Sequence, residues 1–341
     1  MAVYTQIDNP ELYMQVKLYS GTGSELAVTL DGDENMQPDF VWSKNRDQSE
    51  GHKIFDSVRG VTKFIMSNNT DAEATAAQTL KSFDSDGVTI GTDADMNTSS
   101  EKNVLWCWKE SADAGFDMVT HTGTGSARTI SHSLSAVPEV MIVKARNAAE
   151  GWAVYHHKMS SAPETDYIYL HLANAVADYA GFWNDTAPTS SVFSVGDADN
   201  TNSASGYNYI SYLFSGKQGF SKFGSYTGNG NADGTFVYTG FRPAFIMLKN
   251  ATDGASGDEW FMEDAARSTY NPTGRKLSAH LPNSETGISS PSSWVDIDFL
   301  SNGFKIRTND AGFNESGDNF IYMCFAEAPF VNSKGVPCNA R

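Results

Sequence analysis

The chain has 341 residues, too many for one ordinary core and enough for two or three at roughly 150 residues each. A hydrophobic content of 40% supplies packed cores, so the acidity does not signal disorder, while a formal charge of -17 disfavours nucleic acid and anionic membrane surfaces, which draw on Lys and Arg. No apolar run reaches the roughly 18 residues that span a bilayer, and MAVYTQIDNPELYMQV lacks the basic start and apolar stretch of a secretory signal, so synthesis and folding in a cytoplasm are expected.

In chain order the elements come as three similar sets. A turn-rich opening reads YSGTGS to Ser24, HTGTGS to Ser126 and YTGNGN to Asn231, and each is followed by a proline-led strand: PDFVWSK, PEVMIVK and PAFIMLK. Those strands start at Pro38, Pro138 and Pro243 and carry a lysine six residues on, at Lys44, Lys144 and Lys249. A second strand follows at His52, Trp152 and Trp260, then FDSDGVTIGT from Phe83, VFSVGD from Val192 and FLSNGFKIRT from Phe299. Each set closes on an aromatic run, VLWCW, ISYLF or IYMCF. One short surface helix is expected over TDAEATAAQTLKSF after Asn69. The GTGS and GNGN segments read as hairpin turns in which Gly supplies positive φ.

The fold class is therefore all-β: three tandem β-sandwich-like repeats of about 100 residues, over 1–112, 113–217 and 218–341, with at most one or two short helices. Short linkers near 112 and 217 imply a rigid or semi-rigid string of units. Lengths vary most in residues 58–82, 158–188 and 265–293, which are expected to be exposed loops.

The residues that could carry chemistry form no recognisable constellation. Cys107, Cys324 and Cys338 are odd in number and lack CxxC spacing, and the first two sit at matching repeat positions inside apolar runs, as buried thiols do. His52, His121, His132, His156, His157, His171 and His280 show no HExxH, and neighbours on a strand, such as His156 and His157, face opposite sides. No phosphate-loop pattern and no GxSxG occurs. The DxD pairs Asp84/Asp86, Asp93/Asp95, Asp197/Asp199 and Asp296/Asp298 offer oxygen ligands for calcium or a carboxylate pair for a glycosidase, against the simpler reading as Asx-turns. Catalytic, cofactor and metal residues are accordingly read as none. Trp152 and Trp260 recur and are assigned to the core, whereas Trp183 and Trp294 lack counterparts in the first copy and are the candidate surface recognition residues, suited to stacking on a glycan.

The phrases PDFVWSKNR, HKIFDSVRGVTKFIMSNNTDAEAT, SFDSDGVTIG, NVLWCWK and SKFGSYTGNGNADGTFVYTGFRPAFIMLK resemble a family of uncharacterised virion proteins of marine tailed bacteriophages, tail-associated or fibre-like, across nearly the whole chain. The resemblance transfers no functional residue. It implies a virion protein made in the bacterial host cytoplasm, partnered by other virion proteins and by a host-surface glycan or protein, and assembled as a homo-oligomer such as a trimer. A tail or fibre component that adsorbs through variable loops is the expectation; a capsid decoration or head-fibre protein and a glycan depolymerase are the alternatives.

Overall fold

A computed structural model describes residues 5–255, 257–285 and 297–338. Its regular structure is almost entirely antiparallel strand, as the composition leads one to expect. Each copy builds one main sheet in one order. In the first, the opening strand Met14–Ser20 pairs with the closing strand Lys102–Trp108, which pairs with the proline-led strand Phe40–Asn45, followed by Lys53–Asp56 and Lys63–Met66. The second copy repeats this with Phe116–Thr122, Asn208–Phe214, Val140–Ala145, Ala153–His156 and Asp166–Tyr169. The third uses Ser221–Thr227, Asn319–Pro329, Phe241–Asn250, Phe261–Asp264 and Leu277–Ser278. A smaller sheet lies across each main sheet, formed in the first copy by Leu26–Val28, Gly87–Ile90 and Leu80–Asp84. The layers are sandwich-like: Val41, Phe55, Leu105 and Cys107 pack against Val28, Val88 and Ile90.

The other face of each main sheet is buried too. Trp42, Val104, Trp106 and Trp108 belong to one continuous core with Val140, Ile142, Tyr212 and Phe214 of the second copy and Phe245, Met247, Met323 and Phe325 of the third. Phe40 meets Tyr212 with ring centroids 4.8 Å apart, Trp108 meets Phe325 at 5.5 Å, and Phe214 meets Phe325 at 6.0 Å, so the aromatic contacts run around a closed triangle. Strands covered on both faces lose the apolar–polar alternation, which is why FVW and VLWCW read as unbroken apolar runs.

The copies thus form a ring around a pseudo-threefold axis and not the expected string. Three equivalent backbone bonds mark its seams: Glu73 N–H donates to Arg146 O at 2.6 Å, Val176 N–H to Ala251 O at 3.0 Å, and Glu285 N–H to Arg46 O at 2.8 Å. The first bond joins copies one and two, the second joins two and three, and the third brings copy three back to copy one. Trp152 Nε1 donates to Met66 O and Trp260 Nε1 to Tyr169 O, so the recurrent tryptophans are core residues that also tie adjacent copies. These bonds fall in the segments expected to be exposed loops. Residues 58–82, 158–188 and 265–285 differ between copies because each is fitted to a different neighbour.

The expected helix after Asn69 is absent. That stretch holds the short strand Ala74–Thr75 and the strand Leu80–Asp84, because the seam fixes Glu73 and overrides local helix propensity. Helix occurs elsewhere, as Pro10–Leu12 and as three single turns, Ala94–Asn97, Asp199–Asn202 and Ala311–Asn314, one turn per copy. These turns explain the GTGS and GNGN segments, which are not hairpins: the strands on either side of each pair with different partners in different sheets. Asn97 Oδ1 accepts from Thr22 N–H at 2.7 Å while its amide donates to Ser24 O and Gly91 O; Asn202 and Asn314 repeat this latch. Both glycines are required. A Cβ on Gly21, Gly123 or Gly228 would lie 2.1, 2.5 or 2.0 Å from a backbone oxygen of the turn, and Gly23, Gly125 and Gly230 have φ of 72°, 67° and 66°. The repeated lysines close the next loop: Lys44 Nζ donates to Asn45 O and Gln48 O, Lys144 to Ala145 O and Ala148 O, and Lys249 to Asn250 O and Asp253 O.

Two seams carry a buried ionic network. At one, Arg59 pairs with Asp56 and Glu73, Glu73 pairs with Arg146, and Tyr212 Oη donates to Asp56 at 2.7 Å. At the other, Arg267 pairs with Asp264 and Glu285, Glu285 pairs with Arg46, and Trp106 Nε1 donates to Asp264 at 3.0 Å. The equivalent positions of the third seam hold His156, Met159, Val176 and Ala251, with His156 Nε2 bonded to Tyr322 O at 3.1 Å. Removing one partner of a buried pair strands the other, so Asp264→Ala is expected to cost about 3–5 kcal/mol in urea denaturation. Asp233→Ala, which breaks the exposed pair with Lys305, should leave the denaturation midpoint nearly unchanged. Equal costs for the two would show the seam network to be dispensable.

Candidate functional site

One stretch of the repeat is shortened in the third copy. The chain runs from Val28 to Pro38 in the first and from Ile130 to Pro138 in the second, but only from Val237 to Pro243 in the third. In the first two copies this connection lies against the opening strand. Gln15 Oε1 accepts from Gly32 N–H at 2.9 Å and its amide donates to Glu34 O, and Asp117 accepts from Ser133 N–H at 2.5 Å. The third copy has Lys222 at this register position, and its Nζ instead reaches the strand Phe236–Tyr238, donating to Tyr238 O at 2.6 Å. What remains is a cleft of about 800 Å³, within the range typical of ligand sites.

The cleft lies on the seam between the second and third copies. One wall is the outer side of Ser221–Tyr226, the other is Phe236–Gly240, and Glu139, His157 and Lys158 of the second copy close one end with Lys217 of the linker. His157 Nε2 bonds to Phe223 O at 2.9 Å and stands 3.5 Å from Glu139, while its neighbour His156 points into the core, the opposite-face arrangement expected of adjacent strand residues. Gly224 leaves the floor open, since a Cβ there would lie 2.5 Å from the Tyr322 hydroxyl. Phe236 and Tyr238 are 44% and 53% exposed, and their i, i+2 spacing puts both rings on one face of their strand while Val237 turns into the core. Lys222 Nζ lies 5.5 Å from the Tyr238 ring centroid. Burial pulls the Lys222 ammonium below its ordinary range, with Cys324 and Glu139 acting the other way.

Trp183, chosen for recognition, is not here. Trp183 is 1% exposed, packed edge-on against Tyr155 at 6.0 Å and beside Phe182, so it is a core residue of the second copy. It lacks a counterpart in the first copy and is nonetheless not displayed. Trp294 lies outside the described residues, as does Asp296 of the last DxD pair. Five of the remaining DxD carboxylates are engaged within the fold: Asp84 accepts from the Ser82 and Thr89 hydroxyls, Asp86 from Met36 N–H, Asp93 and Asp95 pair with Lys53, and Asp298 pairs with Arg307. Among the described residues no group of three or more His, Cys, Asp or Glu is placed to hold a metal ion. Glu139 is the only carboxylate among the described residues lining the cleft.

Sequence reasoning missed two sets of residues. The seam networks had a signal, since D-x-x-R stands four residues after His52 and after Trp260, as Asp56/Arg59 and Asp264/Arg267. The cleft had one in the shortened connection before Pro243. Phe236 and Tyr238 look like ordinary strand residues without it.

A model of the family with the description "domain of unknown function (DUF7483)" matches residues 9–329, and the chain belongs to that family. No curated protein and no solved structure matches it.

The other strongly shifted groups serve the fold. Burial pushes His156 down to about 3, and burial pushes His121, His171 and His280 each down to about 4. Glu263, fully buried and hydrogen-bonded by Thr273, is pushed up to about 7 by burial from an ordinary value of 4.5. The folded chain therefore holds this proton more tightly than the unfolded chain. The associated stability is complete below pH 4.5 and is lost as the pH rises to about 7. Glu263→Gln should remove this pH dependence. Between those limits the wild type is expected to lose about 3 kcal/mol relative to the variant. A difference that does not change with pH would show Glu263 to be ionised throughout.

Proposed function

We propose that the chain is a structural protein of a tailed-bacteriophage particle, a tail or fibre component that contributes to host adsorption. The observation that carries this reading is the closed pseudo-threefold ring: one chain supplies the symmetry that a fibre shaft would otherwise obtain from three, so a single copy can cap or join a threefold partner. The virion-protein resemblance set out from the sequence supplies the setting. Seams built from buried aromatics and ion pairs suit a part that must stay rigid outside the cell. The length-variable segments contribute bonds to the seams and also expose side chains such as Tyr179 and Tyr270, so contact with the host can draw on them and on surfaces such as the third copy's cleft. A depolymerase would need two carboxylates flanking a sugar, and the described residues of this cleft offer one.

Gold-labelled antibody against the chain, applied to intact particles, separates the readings. Label at the tail or its fibres is the expected result, and purified chain added beforehand should lower the adsorption rate several-fold. Label confined to the head would replace this assignment with a decoration protein. A particle free of label would remove the virion reading altogether.

A further inference from the structure

The cleft of the third copy combines two features found together nowhere else in the described chain. Phe236 and Tyr238 present two exposed rings from one strand face, about 7 Å apart by the i, i+2 spacing of a strand. Around them Lys158, Lys217 and Lys222 face a single carboxylate, Glu139, although the molecule as a whole carries 41 acidic against 24 basic residues. Among the described residues no carboxylate pairs with any of these three lysines. Lys222 is held in place by its bond to Tyr238 O, so one cation and one ring are fixed relative to each other before a ligand arrives.

We infer that this cleft binds an acidic saccharide, with its sugar rings stacked on Phe236 and Tyr238 and its carboxylate or other anionic substituent held by Lys222 and the flanking lysines. The paired rings select a flat, weakly polar face, which a pyranose presents along its C–H side. The cations select an anionic substituent. A long polyanion such as nucleic acid is disfavoured, because it would extend beyond the cleft over a surface with a net charge of -17. A neutral sugar would leave the lysine cluster without a role. Among the three connections the one before Pro243 is the shortest and opens this cleft, so one site per chain follows.

The test is calorimetric titration of the full chain with trigalacturonate, its methyl ester and triglutamate. Trigalacturonate should bind with one site per chain, and the ester, which keeps the rings and loses the charge, should bind at least about tenfold more weakly, a difference of about 1.4 kcal/mol. Tyr238→Ala and Lys222→Gln should each weaken trigalacturonate at least about tenfold. Phe236→Ala serves as the second ring variant, and unchanged melting temperatures certify that the variants fold. Absence of trigalacturonate binding at millimolar concentration overturns the inference, as does equal affinity for the ester or an unaffected Tyr238→Ala. Equal affinity for triglutamate would reassign the cleft to acidic peptides and overturn it as well. The inference stands apart from the virion assignment: a labelled particle whose protein fails to bind sinks only the saccharide site, and a binding protein missing from the particle sinks only the virion reading.

Discussion

Each main sheet is covered on both faces, and this double burial governs the rest of the molecule. The inner face of every sheet needs the other two copies, because Trp42, Trp106 and Trp108 would otherwise present aromatic surface to water. The outer face needs only its own small sheet, which Val28, Val88 and Ile90 provide in the first copy. One copy alone can satisfy half of this demand and two leave a side open. Three close it, and the apolar space left on the axis is only about 20 Å³, about the room of one water. Closure also explains why the linkers are short: copies fixed in a ring need no reach.

Within that ring the symmetry is broken in a consistent place. Two seams use Asp–Arg–Glu–Arg networks, and burial opposes the Glu285 charge while Arg46 and Arg267 hold its carboxyl below the ordinary range. Buried ion pairs add little net stability over apolar packing of the same volume, but a misplaced copy would strand their charges, so they penalise wrong pairings. The third seam uses Met159, Val176 and Ala251 and needs no such matching, since the copies it joins are already placed by the other two. Freed of that requirement, it is the seam where the connection before Pro243 has shortened. Both ends of the described chain gather in the same region: Gln6 N–H donates to Gln218 O, and Ser333 N–H donates to Asp8.

What the sequence disclosed follows the distinction between interactions inside a copy and interactions between copies. The proline-led strands, the lysines six residues on and the paired glycines serve contacts within one copy, so they recur at fixed offsets and can be read by comparison. Cys107, Leu213 and Cys324 pair with Val41, Met141 and Ile246 and pack as their shared register implies. Trp183 misled because a residue without a counterpart need not be displayed: it fills space against Tyr155 and Phe182 inside its own copy and is buried. The stretch after Asn69 misled for a related reason, since its conformation is set by Arg146, a residue of the next copy. Asn97, Asn202 and Asn314 were legible in principle. They lie in turns of four residues, too short for periodicity to register, and only the three hydrogen bonds common to the copies reveal them as the latch that holds GTGS in place.

A ring made from one chain can do something that a ring of three identical chains cannot. In a homotrimer every substitution appears three times, so a cleft opened in one subunit opens in all, and a cation placed there raises the charge threefold. Here Gln15, Asp117 and Lys222 occupy one register position and do three different things: the first ties down a loop, the second accepts from a turn, and the third faces a cleft. The two copies without the cleft keep their connections packed and retain their full contribution to the central core. The third shortens a connection whose counterparts bury Met36 in the first copy and Leu134 in the second, and the cleft opens where it is shortened. Threefold packing therefore supplies rigidity, and the covalent link between copies allows that rigidity to support a single asymmetric surface.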